Sequence, residues 1–308
     1  MISSDRCFFL YGTLKPGQIA FYKIESFIDS AKTVDAKLDG HYLAVRDGLP
    51  FAYSVKVREP MEYSAEQLMP VSGVLVYPKD GLEINLCEEI SRYENHALYK
   101  EDICSVTTSL GENVEANFYS AIKTATREAT EVCNGTWRII DDPILGYGLP
   151  RLVNEINNMK LEKAEKFPAD MHNAYWQLMW KIQGSFANLN SVLEHFCRFY
   201  FGSANVTNKV LDGMDDLWRL NPKRTSIKVP RVRAHNAKEA SDSTHYDSHD
   251  KPFRTWYQVR SNMLHSGKDG FEDLGKIMDS TLGMVRVLPE IILYLVPEFQ
   301  TSWSRLND

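Results

Sequence analysis

Residues 9–18 read Phe-Leu-Tyr-Gly-Thr-Leu-Lys-Pro-Gly-Gln and combine a predicted strand end with a glycine loop. The apolar residues before the loop predict a buried strand, and Pro16-Gly17 predicts the turn that closes it. A glycine directly after a strand lets backbone approach a ligand closely, and successive free amides can bind an anion or an oxyanion. An edge strand that ends in a glycine turn fits the same residues, so both interpretations stay open here.

Glu94 is the second residue whose position favours chemistry. It stands where the helical spacing of Leu86, Ile90 and Tyr93 gives way to the next predicted strand. A carboxylate at a helix end beside aromatic side chains can have a raised pKa and act as a general acid or base. Taken alone, the residue equally fits a surface glutamate.

Arg260, Asn262 and His265 form a second candidate site near the end of a predicted helix, Phe253–His265. An arginine can stabilise the charge on a phosphate, and a histidine can shuttle the proton of a ribose hydroxyl. A helix end with favourable basic residues and a Gly267 cap explains the same pattern without a function.

Composition limits the classes of function. The chain has 308 residues, which favours two domains, and a net charge of -6, so binding to nucleic acid requires a local patch. One candidate patch is the basic segment Arg219–Lys238, which also fits a solvated loop. Five cysteines without Cys-x-x-Cys spacing argue against a zinc cage or disulfide framework. We expect a cytoplasmic protein without a membrane span, because the N-terminus lacks a signal-peptide core and Leu282–Val296 is short and interrupted.

The hydrophobic period changes along the chain and predicts an α+β protein. The first part predicts a small mixed β-barrel or curved sheet with a helix at Glu83–Tyr93 and a second helix from Gln18 to Phe27. Its predicted strands are Cys7–Tyr11, His41–Val45, Ala52–Val57, Val71–Tyr77, Ile103–Thr107 and Ala116–Ala121.

The second part has helical spacing and predicts an all-α bundle. Its predicted helices are Tyr175–Phe201, Val206–Leu220, Phe253–His265 and Phe271–Tyr294. We therefore predict a first domain over 1–145, a linker over 146–166 and a helical domain over 167–308.

The first part resembles the gamma-glutamyl cyclotransferase-like superfamily, in particular its gamma-glutamylamine cyclotransferase branch. The resemblance rests on the order and spacing of several short motifs rather than on any one of them. They are Tyr11-Gly12-Thr13-Leu14 with Lys15-Pro16-Gly17-Gln18, Gly48-Leu49-Pro50, the strand around Gly73, Ile90–Tyr99, Asn117-Phe118-Tyr119 and Gly135-Thr136-Trp137.

This resemblance implies an enzyme that cyclises a γ-glutamyl amine to 5-oxoproline and a free amine without a metal or an organic cofactor. It places the catalytic acid/base role on Glu94. It places substrate binding on Tyr11, Gly12, Thr13, Leu14, Tyr99 and Tyr119.

The helical part resembles the HEPN superfamily (higher eukaryotes and prokaryotes nucleotide-binding) through Arg260-Ser261-Asn262-Met263-Leu264-His265. That resemblance implies a homodimer through the helical domain and metal-independent cleavage of RNA by Arg260 and His265. The leading hypothesis is therefore a cyclotransferase fused to a dimerising domain. The alternatives are a ribonuclease effector whose first domain senses a ligand, and two domains that bind without catalysis.

Overall fold

The structure, a computed structural model, divides into two compact units between Asp142 and Pro143, and the short segment Phe199–Gly202 belongs to the first unit. It describes residues 7–54, 69–94, 97–122, 125, 129–159, 172–202, 205–222, 226–230, 232–233, 245–246, 251–265 and 274–304. The predicted α+β class, with a small mixed barrel followed by helices, is confirmed.

The first unit is built around a closed barrel with strand order β1-β5-β2-β6-β7. Strands β1 and β7 pair in parallel, and the other neighbours are antiparallel, so the barrel is mixed. A second sheet has the order β4-β3-β8. The strands are β1 Cys7–Leu10, β2 Val34–Leu38, β3 His41–Arg46, β4 Leu49–Ser54, β5 Val71–Val76, β6 Tyr99–Thr108, β7 Asn113–Ala121 and β8 Thr130–Val132.

Helix α1, Glu83–Tyr93, packs on the outside of this barrel. Its buried residues Leu86 and Ile90 join a core cluster with Phe8 and Leu10 of β1. A five-stranded barrel has no room for a helix in its lumen, so these alternate β1 residues face outward and Cys7 and Phe9 face inward. Both faces of β1 are therefore buried, and β1 reads as a continuous apolar run.

The predicted helix from Gln18 to Phe27 is wrong. The structure has two short 3₁₀ helices there, Phe21–Lys23 and Glu25–Phe27, separated by Ile24 with φ -116°. Aromatic and β-branched residues have modest helix propensity, and tertiary packing decides their conformation. Ile24 is fully buried in the core cluster.

Strand β2 is absent from the sequence-based prediction. Its burial alternates, with Ala36 and Leu38 buried and Asp35 and Lys37 exposed. Charged residues are depleted in strands, so residue propensities do not predict a strand here, although apolar and charged residues alternate with a period of two.

The second unit is helical. Its helices are α2 Leu149–Asn158, α3 His172–Phe201 (whose last residues count with the first unit), α4 Asn208–Leu220, α5 Pro252–His265, α6 Leu274–Leu295 and α7 Glu298–Ser304. A π-helical turn, Pro143–Gly148, precedes α2. A two-residue ladder joins Val232–Arg233 to His245–Tyr246.

Two contacts fix α5 in this unit. Asp215 of α4 accepts a hydrogen bond from the Phe253 amide at 2.8 Å and so caps the first turn of α5. Gly283 of α6 lies against Trp256, because a Cβ at this glycine would stand 2.5 Å from the indole ring. Within the described part of the chain, no helix is long and apolar enough to cross a membrane.

Gly73 provides a test of the barrel packing. A Cβ there would lie 2.5 Å from the Leu10 carbonyl oxygen and 2.7 Å from the Phe9 ring, so Gly73→Ala forces β1 and β5 apart. We expect a loss of about 2 kcal/mol or more in the free energy of unfolding, as in overpacked cores. Gly111→Ala is the control, because φ is +82° there and nothing stands within 4 Å. It should cost only the left-handed backbone penalty, about 1 kcal/mol. Denaturant unfolding measures both, and equal losses would contradict the packing argument.

Candidate active site

The loop Tyr11–Leu14 leaves the end of β1 and turns its carbonyl groups back into the protein. The Gly12 carbonyl accepts from the Lys15 amide at 3.0 Å, and the Thr13 carbonyl accepts from the Ala20 amide at 3.1 Å. Gly12 is packed closely, since a Cβ there would lie 3.0 Å from Cγ of Pro50. The glycine is therefore required by the approach of this loop to β4.

Three amides of this loop have no acceptor in the part of the chain that the structure describes. Within the described ranges, the N–H groups of Gly12, Thr13 and Leu14 donate to no other residue. Thr13 and Leu14 are nevertheless buried. Buried amides without an acceptor are rare in folded proteins, and a row of them is the arrangement that binds anions and oxyanions.

Glu94 terminates α1. Its amide still donates to the Ile90 carbonyl at 3.0 Å, while its own backbone turns extended at φ -71° and ψ 136°. The residue as a whole is half-buried, but its carboxyl group is desolvated, and this burial raises its pKa to about 8. Among the described residues, desolvation is the single cause of this shift and no hydrogen bond to the carboxylate opposes it.

Four tyrosine phenols lie near enough to Glu94 for its charge to act on them, and we call them the tyrosine cage: Tyr11, Tyr93, Tyr99 and Tyr119. Burial is the main cause that raises the pKa of each phenol, and the charge of Glu94 adds to it in every case. The phenols are consequently neutral across the working pH range.

Three cage phenols donate to backbone carbonyls rather than to Glu94, and one of them, Tyr93, donates to the Phe199 carbonyl at 2.6 Å. Tyr11 donates to the Tyr119 carbonyl at 2.6 Å, and Tyr99 donates to the Pro50 carbonyl at 2.9 Å. These two phenols therefore donate no hydrogen bond to the Glu94 carboxylate. Pro50 contacts the loop at Gly12 and accepts from Tyr99, and the charge of Glu94 acts on that same phenol, so these residues belong to one region of the first unit.

The predicted residues Tyr11, Thr13, Glu94, Tyr99 and Tyr119 are thus brought together by the fold. The side chain of Leu14 is different, because it is buried in the core cluster. Only its amide remains for a ligand. Whether these residues bind a substrate stays a prediction.

Arg46 was missed by the sequence analysis. Its guanidinium lies 5.8 Å from the centre of the Phe51 ring, which stacks on Tyr99 at 5.0 Å. Its positive charge partly offsets the rise in the pKa of Tyr99. The sequence feature that could have pointed to Arg46 is the Asp47-Gly48 turn directly after it. Asp47 has φ 53°, and this turn joins β3 to β4 in a hairpin. Arg46 comes close to the cage because β4 also packs against β7, and no local sequence pattern predicts that contact.

The second candidate site is described only in part. Arg260 lies on α5, forms an ion pair with Glu194 at 2.8 Å, and stands 5.2 Å from the centre of the Tyr257 ring. Asn262 accepts a hydrogen bond from Gln258 at 2.8 Å. The side chain of His265 lies outside the described residues. RNA cleavage, RNA binding and dimerisation through the helices stay predictions.

The basic segment Arg219–Lys238 is also described only in part. Arg219 pairs with Asp216 within α4, and Lys228 pairs with Asp279 at 3.0 Å. Residues 223–225, 231 and 234–238 lie outside the described part of the chain. Across the described ranges, no cluster of three or more His, Cys, Asp or Glu side chains stands ready for a metal ion.

Comparison with known proteins gave structural similarities only. No model of a known protein family matches the sequence, and no curated protein matches it. An AIG2-like protein from Mus musculus is similar over 43% of this chain and 88% of its own length, with 14% identity and a TM-score of 0.32. YkqA from Bacillus subtilis is similar over 47% of this chain and 43% of its own length, with 16% identity and a TM-score of 0.30.

The raised pKa of Glu94 predicts how stability depends on pH. The folded chain keeps this proton up to about pH 8, whereas the unfolded chain releases it near the ordinary value of 4.5. The folded state binds more protons between these values, so this group lowers stability as pH rises through the window. The slope is at most about 1.4 kcal/mol per pH unit. Glu94→Gln removes it.

We therefore expect the melting temperature of Glu94→Gln, relative to wild type, to increase steadily from pH 5 to pH 8. Thermal unfolding at four pH values measures this difference. Glu88→Gln is the matched control, because Glu88 is exposed on the same helix, and its difference from wild type should stay flat. A flat line for both variants would contradict the desolvation of Glu94.

Proposed function

We propose that the first unit is a gamma-glutamyl cyclotransferase, which converts a γ-glutamyl amine to 5-oxoproline and a free amine. One observation carries the proposal. A desolvated carboxylate, Glu94, with a pKa of about 8 lies in one site with three loop amides that donate to no other described residue. The resemblance of Tyr11–Leu14 and Glu94 to the superfamily motifs supports it independently.

The reaction is an intramolecular acyl transfer. The α-amine of the glutamyl group attacks its own γ-carbonyl carbon, and the bond from that carbon to the leaving amine breaks. Nucleophile and electrophile belong to one molecule, so holding it folded removes much of the entropic barrier. The products are a lactam and an amine, and no redox partner is needed.

Glu94 carries the proton through this reaction. Its carboxylate takes a proton from the α-ammonium group and returns one to the leaving nitrogen. A single carboxyl group does both best when its pKa lies near the working pH, because both protonation states are then accessible. The value of about 8 meets this condition.

The loop amides act on the other side of the reacting carbon. Attack turns the γ-carbonyl oxygen into an oxyanion, and preorganised N–H donors stabilise that charge more than they stabilise the ground state. The neutral cage phenols keep water from the carboxylate without neutralising it. Arg46 adds a positive charge at the edge of the cage.

Glu94→Gln tests the chemical step. The amide keeps the shape of the side chain but cannot carry the proton, so we expect kcat/KM for γ-glutamyl amines to fall by about 10²- to 10⁴-fold. Release of 5-oxoproline from a panel of γ-glutamyl amines measures it.

The matched control is again Glu88→Gln, which should retain wild-type turnover. Equal turnover by wild type and Glu94→Gln would refute the assignment. Wild-type protein that binds a γ-glutamyl amine in calorimetry without releasing product would also refute it, and would favour the ligand-sensor interpretation.

The pH profile provides a separate check. In the free enzyme Glu94 must be deprotonated to accept a proton, so kcat/KM should decline as pH falls below about 8. The expected midpoint lies far above the ordinary range of a glutamate. A profile that stays flat down to pH 5 would exclude Glu94 as the base.

A further inference from the structure

The phenol of Tyr93 contacts both the loop Tyr11–Leu14 and a part of the chain that is distant in sequence. Its oxygen lies 2.9 Å from Oγ1 of Thr13 and 2.6 Å from the carbonyl oxygen of Phe199. Phe199 is near the end of α3, in the short segment that belongs to the first unit. The Tyr93 hydroxyl therefore joins the loop, 80 positions earlier in the chain, to the end of α3, 106 positions later.

The direction of these bonds follows from the groups. A phenol has one hydrogen, and a carbonyl oxygen can only accept, so Tyr93 donates to Phe199. The Thr13 hydroxyl then donates to the phenol oxygen. Consistent with this, the Thr13 contact opposes the burial that raises the pKa of Tyr93. The Thr13 side chain is thus tied, through one phenol, to a backbone group of α3.

The anchor itself is fixed from several sides within the first unit. Phe199 is fully buried and its ring lies 5.9 Å from Trp137. Tyr200 stacks on Tyr22 at 4.4 Å, and its carbonyl accepts from the Tyr22 phenol at 3.3 Å. Gly202 has φ +67°, and a Cβ there would lie 3.3 Å from the Tyr93 ring. A carbonyl held in this way is a rigid reference point.

We propose that Tyr93 is a positioning residue of the cyclisation site, and that the end of α3 supplies the anchor which holds the Thr13 amide toward the developing oxyanion. This inference rests on the proposed function. Tyr93 directly precedes Glu94 in the chain, so the same anchor fixes the spacing between the loop amides and the carboxylate. A catalytic group displaced by about 1 Å can cost about 10²-fold in rate.

Tyr93→Phe is the test variant, because it removes one hydroxyl and keeps the ring. We expect kcat to fall about 10- to 100-fold while KM changes less than about twofold, since the oxyanion exists only in the transition state. Tyr22→Phe is the matched control. It removes the 3.3 Å bond to the Tyr200 carbonyl on the same α3 segment but keeps the ring that stacks on Tyr200 and leaves the Tyr93 bonds to Thr13 and Phe199 intact, so kcat should fall far less than in Tyr93→Phe.

A double-mutant cycle separates positioning from a general loss of structure. Thr13→Val should lower kcat to a similar degree in the wild type and have almost no further effect in Tyr93→Phe, because both remove the same link. Thr13→Ser keeps the hydroxyl and should restore most of kcat. Fully multiplicative losses in the double variant, or equal kcat in Tyr93→Phe and Tyr22→Phe, would overturn the proposal.

Hydrogen exchange gives a readout that does not depend on turnover. Amide exchange in residues 12–14 should be faster in Tyr93→Phe than in Tyr22→Phe and wild type, at matched melting temperatures. If wild type shows no turnover but the exchange difference is present, the proposed function fails and the anchor stands. If turnover is normal and exchange is unchanged in Tyr93→Phe, the anchor fails and the proposed function stands.

Discussion

The desolvation of the Glu94 carboxylate is the constraint on which the rest of this site depends. Burying a charge without a hydrogen-bond partner is costly, and the group responds by holding its proton to about pH 8. The folded chain tolerates this only because the packing around the group is held by other interactions. The tyrosine cage provides this packing, and its Tyr11 and Tyr99 phenols donate to backbone carbonyls rather than to Glu94.

The barrel determines where the loop and the carboxylate can meet. Strand β1 lies between β5 and β7, and Gly73 lets the Leu10 carbonyl approach β5 at the point where β1 ends. The chain then enters the loop beside Pro50 of β4. Helix α1 packs on the outward face of β1 through Leu86 and Ile90, so its last turn delivers Glu94 to the same end.

Features encoded locally could be predicted from the sequence, and features built by distant contacts could not. The strand end at Tyr11-Gly12 and the helix end at Glu94 follow from apolar period and glycine punctuation within about ten residues. The Tyr93 contact to Phe199 joins residues 106 positions apart, and no short pattern contains it. Arg46 stayed hidden for the same reason, and β2 stayed hidden because its charged residues masked its alternation.

The loop amides and the Glu94 carboxylate do not bond to each other, and this bears on the ligand that the proposed function requires. No hydrogen bond lowers the pKa of Glu94, so the amides of Gly12, Thr13 and Leu14 do not reach its carboxylate. The fold thus holds donors and an acceptor in one site but apart. A molecule that carries an acceptor oxygen and an N–H donor on one short chain would satisfy both sides at once. The γ-glutamyl amine of the proposed function has that pattern in its γ-carbonyl and α-ammonium groups, and a bent conformation that met both sides would bring its reacting atoms together.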